Sequence, residues 1–104
     1  MKWIFFVYFA SRIVYNNVEY AMSPVFKREN GYVFKIFSNE EERMHIHVIR
    51  ANCEAKYWLE PIVELADNYG FAEHELTKIQ KIVEKNGDKF KQQYQQHIGK
   101  RVDD

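Results

Sequence analysis

The sequence predicts an α+β domain in which a small antiparallel sheet of three to four strands carries two C-terminal helices packed on one face. Between residues 31 and 69, short runs of aromatic and β-branched residues are separated by turn formers, as is typical of strands. From Ala72 onward the apolar residues recur every three or four positions, which indicates helices. A length of 104 residues with 46% apolar composition favours one globular domain.

The central feature is a predicted β-hairpin whose two-residue turn is Ala51-Asn52. With that turn, residues whose numbers add up to 103 face each other, and side chains alternate between the two faces of the ribbon. One side, which we call the core face, is apolar and contains Met44, Ile46, Val48, Ala55, Tyr57 and Leu59. The other side, the histidine face, contains His45, His47, Ile49, Glu54, Lys56 and Trp58.

Further strands are predicted on both sides of this hairpin. The run from Gly31 to Ser38 predicts a preceding strand, and residues 39–43 predict a solvated loop. After Leu59, Glu60-Pro61 interrupts the ribbon, because proline cannot donate a ladder hydrogen bond. Residues 62–67 can then form a short edge strand that ends at Asn68-Tyr69-Gly70.

Two helices follow. The first is predicted to run from Glu73 until Gly87 stops it, with an apolar stripe formed by Leu76, Ile79, Ile82 and Val83. Asp88 is a suitable cap for the second helix, which ends at Gly99 before a charged tail of residues 100–104. Its stripe contains Phe90, Tyr94, His97 and Ile98. If both helices cover the core face, the histidine face stays open to solvent or to a partner.

Charge and cysteine content limit the function classes. Fifteen basic and fifteen acidic residues give no net charge, so any contact with nucleic acid has to be local. The single cysteine, Cys53, cannot form an internal disulfide and is expected to be a packing residue. The apolar run after Lys2 is far shorter than the roughly 20 residues that span a bilayer. We expect no membrane span. Residues 1–21 can be a secretory leader, for which Ala10-Ser11-Arg12 is a poor cleavage site, or an extension that precedes a natural start at Met22.

Four blocks of residues carry a family resemblance. In order they are Phe37-Ser38-Asn39-Glu40, His45-Ile46-His47-Val48, Glu54 to Pro61, and Asn68-Tyr69-Gly70-Phe71. Over residues 22–99 the chain resembles the prokaryotic family of the domain of unknown function DUF4160. The resemblance implies a small cytoplasmic protein, often encoded beside another small protein and regarded as a candidate toxin-antitoxin component. No reaction is attached to the family.

The chain departs from the family pattern at two places. Arg43-Met44 stands where members typically have Pro-Pro, so the loop that enters the histidine strand is expected to be less rigid. Ala72 stands where a serine usually caps the first helix, and the lost cap costs about 1 kcal/mol. Neither difference removes a candidate site residue.

The two histidines are the main candidate site residues. His45 and His47 project from the same face of one strand, about 7 Å apart. They can be metal ligands, but Glu54, the nearest third ligand, lies farther along the face, and no metal or cofactor is expected. They can be the acid and base of a metal-independent ribonuclease, with Lys56 facing the phosphate. They can also be structural cross-strand partners, His45 with Trp58 and His47 with Lys56.

Trp58 offers a binding surface. Together with Lys35, Arg50 and Lys56 it can stack and hold single-stranded RNA, or it can anchor a protein partner, with Glu54 nearby. We therefore expect a toxin-antitoxin component that acts as a ribonuclease, or alternatively a non-catalytic protein- or nucleic-acid-binding regulatory module. A small cognate protein is the expected partner; RNA and a second copy of the chain are further candidates.

Overall fold

The computed structural model describes residues 24–37 and 43–103, and describes side chains as far as His97. The predictions for residues 1–21, for most of the loop 39–43 and for the side chain of Ile98 lie outside these residues. The five strands are β1 (Val25–Glu29), β2 (Tyr32–Lys35), β3 (His45–Arg50), β4 (Cys53–Trp58) and β5 (Glu64–Tyr69). They are followed by the helices α1 (Glu73–Lys85) and α2 (Gly87–Asp103).

The sheet is an antiparallel meander in the order β1-β2-β3-β4-β5, so the α+β class is confirmed. The predicted count of three to four strands is wrong, because β1 forms a hairpin with β2. The turn between them places Asn30 at φ 54° and Gly31 at φ 82°. An Asn-Gly pair with two positive φ values suits the tight turn that joins two antiparallel strands.

The predicted register of the central hairpin is confirmed at every pair. His45 lies opposite Trp58, His47 opposite Lys56 and Val48 opposite Ala55. The turn is at Ala51-Asn52, with Ala51 at φ 53°. Most of the core face is buried: Ile46, Val48, Ala55 and Tyr57 have no exposed surface, whereas Met44 is partly buried.

Residues from both helices join the sheet residues in one buried apolar cluster. The Phe90 ring of α2 lies 5.7 Å from the Phe34 ring of β2 and 6.2 Å from that of Phe26. The Tyr57 hydroxyl of β4 donates a 3.1 Å hydrogen bond to the Leu76 carbonyl of α1. The helical members of the cluster are Ile79, Ile82, Val83, Phe90 and Tyr94.

The helix ends differ in detail from the predictions. At the start of α1, Ala72 makes no side-chain capping hydrogen bond, as the sequence indicates. The cap of α2 is not Asp88, which lies in the first turn; instead, the Asn86 carbonyl accepts from the Phe90 N–H. The backbone also stays helical through Gly99 to Asp103, because one glycine costs a helix about 1 kcal/mol without breaking it.

Both outer strands are irregular. In β1 the pairing with β2 shifts between Val25 and Lys27, and in β5 the pairing with β4 shifts so that Ala66 is the extra residue. β1 also carries Lys27, Arg28 and Glu29, and β5 carries Glu64 and Asp67. Bulges and charged side chains on outer strands discourage pairing with another chain.

The block Asn68-Tyr69-Gly70-Phe71 builds the turn between β5 and α1. The Asn68 side chain accepts from the Phe71 N–H at 3.1 Å and donates to the Phe71 carbonyl at 3.0 Å. Gly70 adopts φ 102°, and a Cβ at this position would lie 2.9 Å from Cys53 Sγ. Phe71 is thereby placed in the core, with its ring 5.9 Å from that of Tyr32. The residues of this block therefore have structural roles in the turn and the core.

Candidate functional site

The sheet brings most of the predicted site residues together on the histidine face. Lys35 of β2 lies opposite His47 of β3, which in turn lies opposite Lys56 of β4. The next row toward the start of β3 pairs His45 with Trp58. The strand pairing therefore forms a compact polar group from three strands.

His47 is held by Glu54. Its Nδ1 donates to Glu54 Oε2 at 2.6 Å, and both side chains are buried, at 5% side-chain exposure each. The contact with a carboxylate oxygen places the Nδ1 proton on the side of Glu54. The sequence places Glu54 opposite Ile49, but long side chains on neighbouring rows can reach each other diagonally.

His45 is enclosed by backbone and aromatic rings. Its Nδ1 donates to the Arg43 carbonyl at 2.7 Å. The Tyr94 ring of α2 lies 5.5 Å from the imidazole, and the Trp58 ring lies 6.2 Å from it with an edge-on geometry. His45 and Trp58 are thus cross-strand neighbours, but their rings do not stack, and His45 has no exposed surface.

The expectation that this face is open to solvent is wrong at its centre. His47 is 4% exposed, its ring lies 5.2 Å from that of His45, and the Phe37 ring lies 4.6 Å from His47. Phe37 and Tyr94 come from outside the central hairpin, so strand alternation alone could not reveal that they pack against the histidines. The helical spacing predicts that Tyr94 is a stripe residue but gives no sign of its contact with His45.

Trp58 lies at the edge of the histidine face and is partly exposed. The Arg43 guanidinium lies 4.0 Å from the centre of its ring and the Lys56 ammonium lies 4.5 Å from it. Cations at this distance are attracted by the ring quadrupole. A nucleic-acid base that stacks on Trp58 has to compete with these two cations.

Lys35 is buried beside the histidines, at 2% exposure, with its ammonium 5.4 Å from the Phe37 ring centre. Burial lowers the pKa of Lys35 below its ordinary value; the Glu54 carboxylate opposes that shift and Arg28 adds to it. Lys35 is therefore part of the buried polar group and does not present a charge at the surface.

Arg50 is not part of this group. The structure pairs it with Glu75 of α1, and its guanidinium lies 4.8 Å from the Tyr32 ring centre. Residue 50 has the same parity as the core-face residues Ile46 and Val48, so its side chain leaves β3 on the opposite side from His47. The prediction that Arg50 shares a binding surface with Trp58 is wrong, because strand alternation separates them.

The start of β3 is tied to the end of β4 by Glu60. Arg43 donates two hydrogen bonds to the Glu60 carbonyl, at 3.0 and 3.3 Å, and the Met44 N–H donates to Glu60 Oε2 at 3.2 Å. Proline at position 44 could not donate that bond, because it lacks the N–H. The Arg43-Met44 pair therefore has its own anchor at the entrance to the histidine strand.

The described residues contain neither a metal-ligand group nor a membrane-spanning helix. Within residues 24–37 and 43–103, no three His, Cys, Asp or Glu side chains are grouped so that they could hold a metal ion. Among the described helices, none combines the length and apolar character that crossing a bilayer requires.

A comparison with models of protein families shows which family the chain belongs to. The family model of the domain of unknown function DUF4160 matches residues 31–95, a range that includes β2 to β5, α1 and the histidine strand. The chain belongs to the DUF4160 family. Comparisons with curated proteins and with solved structures find no match. Membership in DUF4160 supplies no activity, so the geometry of the described residues has to carry any functional proposal.

Proposed function

We propose that this chain is the non-catalytic, partner-binding component of a two-protein, toxin-antitoxin-like module of the cytoplasm. The burial of His45 and His47, at 0% and 4% exposure, carries the proposal. A general acid and a general base have to come within hydrogen-bond distance of the reacting oxygens of a substrate. A strand of RNA would have to reach two imidazoles that are enclosed by side chains.

The contacts of the histidines support a structural role for them. His45 contacts the Trp58 and Tyr94 rings, and His47 contacts the Phe37 ring and bonds to Glu54. Aromatic contacts and buried charge-assisted hydrogen bonds hold a hairpin and its neighbours in one arrangement. We infer that His45 and His47 stabilise the packing of the sheet, while the partner binds elsewhere on the surface.

The helices support the same conclusion. We infer that α1 and the start of α2 lie on the core face, because Tyr57 bonds to Leu76 of α1 and Phe34 contacts Phe90 of α2. Farther along α2, Tyr94 contacts His45 of the histidine face. Both outer strands are bulged and charged, which disfavours docking by strand addition. A partner is therefore expected to dock on side chains and not on the backbone of an outer strand.

A metal-independent ribonuclease is the second candidate, and one observation favours it. The 2.6 Å bond from His47 to Glu54 is the arrangement in which a carboxylate fixes the orientation of a catalytic imidazole. In that case His45 and His47 would transfer the protons, and Lys56 would stabilise charge on the phosphate. Substrate would then have to displace the surrounding side chains.

Expression in bacteria separates the two candidates. The chain is produced alone and together with the small protein encoded beside it, and growth, total RNA and complex formation are measured. We expect normal growth, intact RNA and a complex that elutes as one species in size-exclusion chromatography. Growth arrest with RNA loss that disappears in both His45→Ala and His47→Ala would overturn the binding function and support the ribonuclease.

The matched control is His74→Ala, because His74 is an exposed histidine on α1. Circular dichroism of each purified variant distinguishes loss of activity from loss of fold. If the chain neither forms a complex with the neighbouring protein nor harms the cell, the proposed function is wrong.

A further inference from the structure

A groove lies between α1 and β5. Its volume is about 640 Å³, and its apolar floor is formed by Tyr57, Leu65 and Leu76. Leu65 lies opposite Tyr57 in the sheet, yet Leu65 is 38% exposed whereas Tyr57 has no exposed surface. The helical layer therefore ends between β4 and β5 and leaves one large apolar side chain uncovered.

The charges around the groove are unevenly placed. Glu73 and Glu84 of α1 line it eleven positions apart, which corresponds to about 16 Å along the helix axis. Lys81 lies between them, and the exposed His74 also lines the groove. An occupant with positive charge at both ends would be attracted to such a surface.

We propose that this groove binds a basic amphipathic helix of the partner protein, with its apolar stripe on Leu65 and Leu76 and its basic residues near Glu73 and Glu84. This inference rests on the proposed binding function and names the docking surface for it. An amphipathic helix fits a hydrophobic groove through side chains spaced three or four positions apart. An extended strand fits less well, because Ala66 bulges out of the β4–β5 pairing.

A second copy of this chain is a poorer occupant. The exposed residues of α1 are polar or charged, namely Glu73, His74, Thr77, Lys78, Lys81, Glu84 and Lys85. They supply positive charge but no large apolar side chain for the floor of the groove. A partner helix that carries both features therefore fits the groove better than α1 of a second copy does.

The first test uses a synthetic amphipathic helix of about four turns, with leucines along one stripe and lysines at both ends. A control peptide has glutamates in place of the lysines. Binding to the full chain is measured by fluorescence anisotropy, and the bound surface is located from backbone amide chemical shifts. We expect the basic peptide to bind with shifts confined to α1 and β5. Equal binding of the acidic peptide, or shifts on another surface, would overturn the proposal.

Two matched variants sharpen the test. Leu65→Asp is expected to weaken binding about tenfold or more, because it places a polar group in the apolar floor. Val25→Asp is the control, because Val25 is 40% exposed on the opposite outer strand, and we expect it to bind as the unaltered chain does. Similar losses in both variants would refute the assigned surface.

The neighbouring protein distinguishes this inference from the proposed function. If it forms a complex with the unaltered chain and equally with Leu65→Asp, the groove assignment is wrong while the binding function stands. Light scattering of the chain alone measures its oligomeric state and tests whether a second copy occupies the groove. A dimer that Leu65→Asp dissociates would show that it does and would overturn the proposal of a partner helix.

Discussion

His47 and Glu54 are joined by a 2.6 Å hydrogen bond that crosses the β3–β4 ladder diagonally, because the residue directly opposite His47 is Lys56. Both side chains are buried, so the bond replaces part of the hydration that the imidazole and the carboxylate lose on folding. The consequence for stability can be measured.

Glu54→Ala is expected to lower the free energy of unfolding by roughly 3 kcal/mol, since it leaves a buried imidazole without its acceptor. Glu54→Gln should lose less, because its amide oxygen can still accept the hydrogen bond. Urea unfolding followed by circular dichroism measures both. Glu64→Ala, which alters an exposed carboxylate on β5, is the control and should change stability little. Equal losses at positions 54 and 64 would contradict the buried pair.

Tyr57 predicts a stability loss in alkaline solution. Burial raises the pKa of Tyr57 to about 12 from the ordinary value of 10.0, and Tyr32 adds to the shift. Below pH 10 the hydroxyl is protonated in both states; between pH 10 and 12 the unfolded chain releases the proton first. The contribution is therefore present below pH 10 and is lost as the pH rises through 12.

Tyr57→Phe should cost about 1 kcal/mol at neutral pH, because the Leu76 carbonyl loses its donor. Between pH 10 and 12 the difference in free energy of unfolding between the unaltered chain and this variant should become smaller. Urea titrations at several pH values measure this difference, and a difference that stays constant would show that Tyr57 is not the group responsible.

Any side chain at position 70 is expected to lower the free energy of unfolding substantially. Gly70→Ala places a methyl group 2.9 Å from Cys53 Sγ at φ 102°, and we expect a loss of about 3 kcal/mol. In a Cys53→Ala background the loss should shrink, because the steric clash is relieved while the backbone strain stays. Gly87→Ala is the control, since nothing lies within 4 Å of an added Cβ there, and it should be neutral or stabilising. Thermal unfolding of Gly70→Ala, Cys53→Ala, the double variant and Gly87→Ala measures these differences.

The missing side-chain cap at Ala72 suggests a substitution that should increase stability. The backbone of Ala72 is extended, at φ −74° and ψ 159°, as an N-cap requires, but this residue has no side chain that can accept a hydrogen bond. Ala72→Ser should raise the free energy of unfolding by about 1 kcal/mol by accepting from an N–H of the first turn. Ala72→Val has no acceptor and should give no gain. A serine variant that matches the valine variant would show that this helix end is not limited by its cap.

Much of the fold follows from local patterns. The pairing of β3 with β4 was predictable residue by residue, because two alternating runs around Ala51-Asn52 allow one register that sorts apolar from polar side chains. The two helices were likewise predictable from their apolar spacing. β1 was missed even though Asn30-Gly31 is a strong hairpin signal, because polar residues dominate the strand on its N-terminal side.

The environment of the candidate site was less predictable. Alternation correctly placed His45, His47, Lys56 and Trp58 on one face, but it contains no information about which distant residues cover that face. The contacts of Phe37 and Tyr94 with the imidazoles depend on how a strand end and a helix pack in three dimensions. The position of Arg50 was predictable from parity and was nevertheless misassigned.

The shifted pairing of β1 and β5 has a consequence for how the protein behaves when it is abundant. A neighbouring molecule in an extended conformation meets a distorted, charged margin on either side of the sheet, which is a poor template for fibrils or for exchange of strands between copies. Within the described residues, neither margin of the sheet therefore favours polymerisation, and changes to the helices leave both of these protected margins in place.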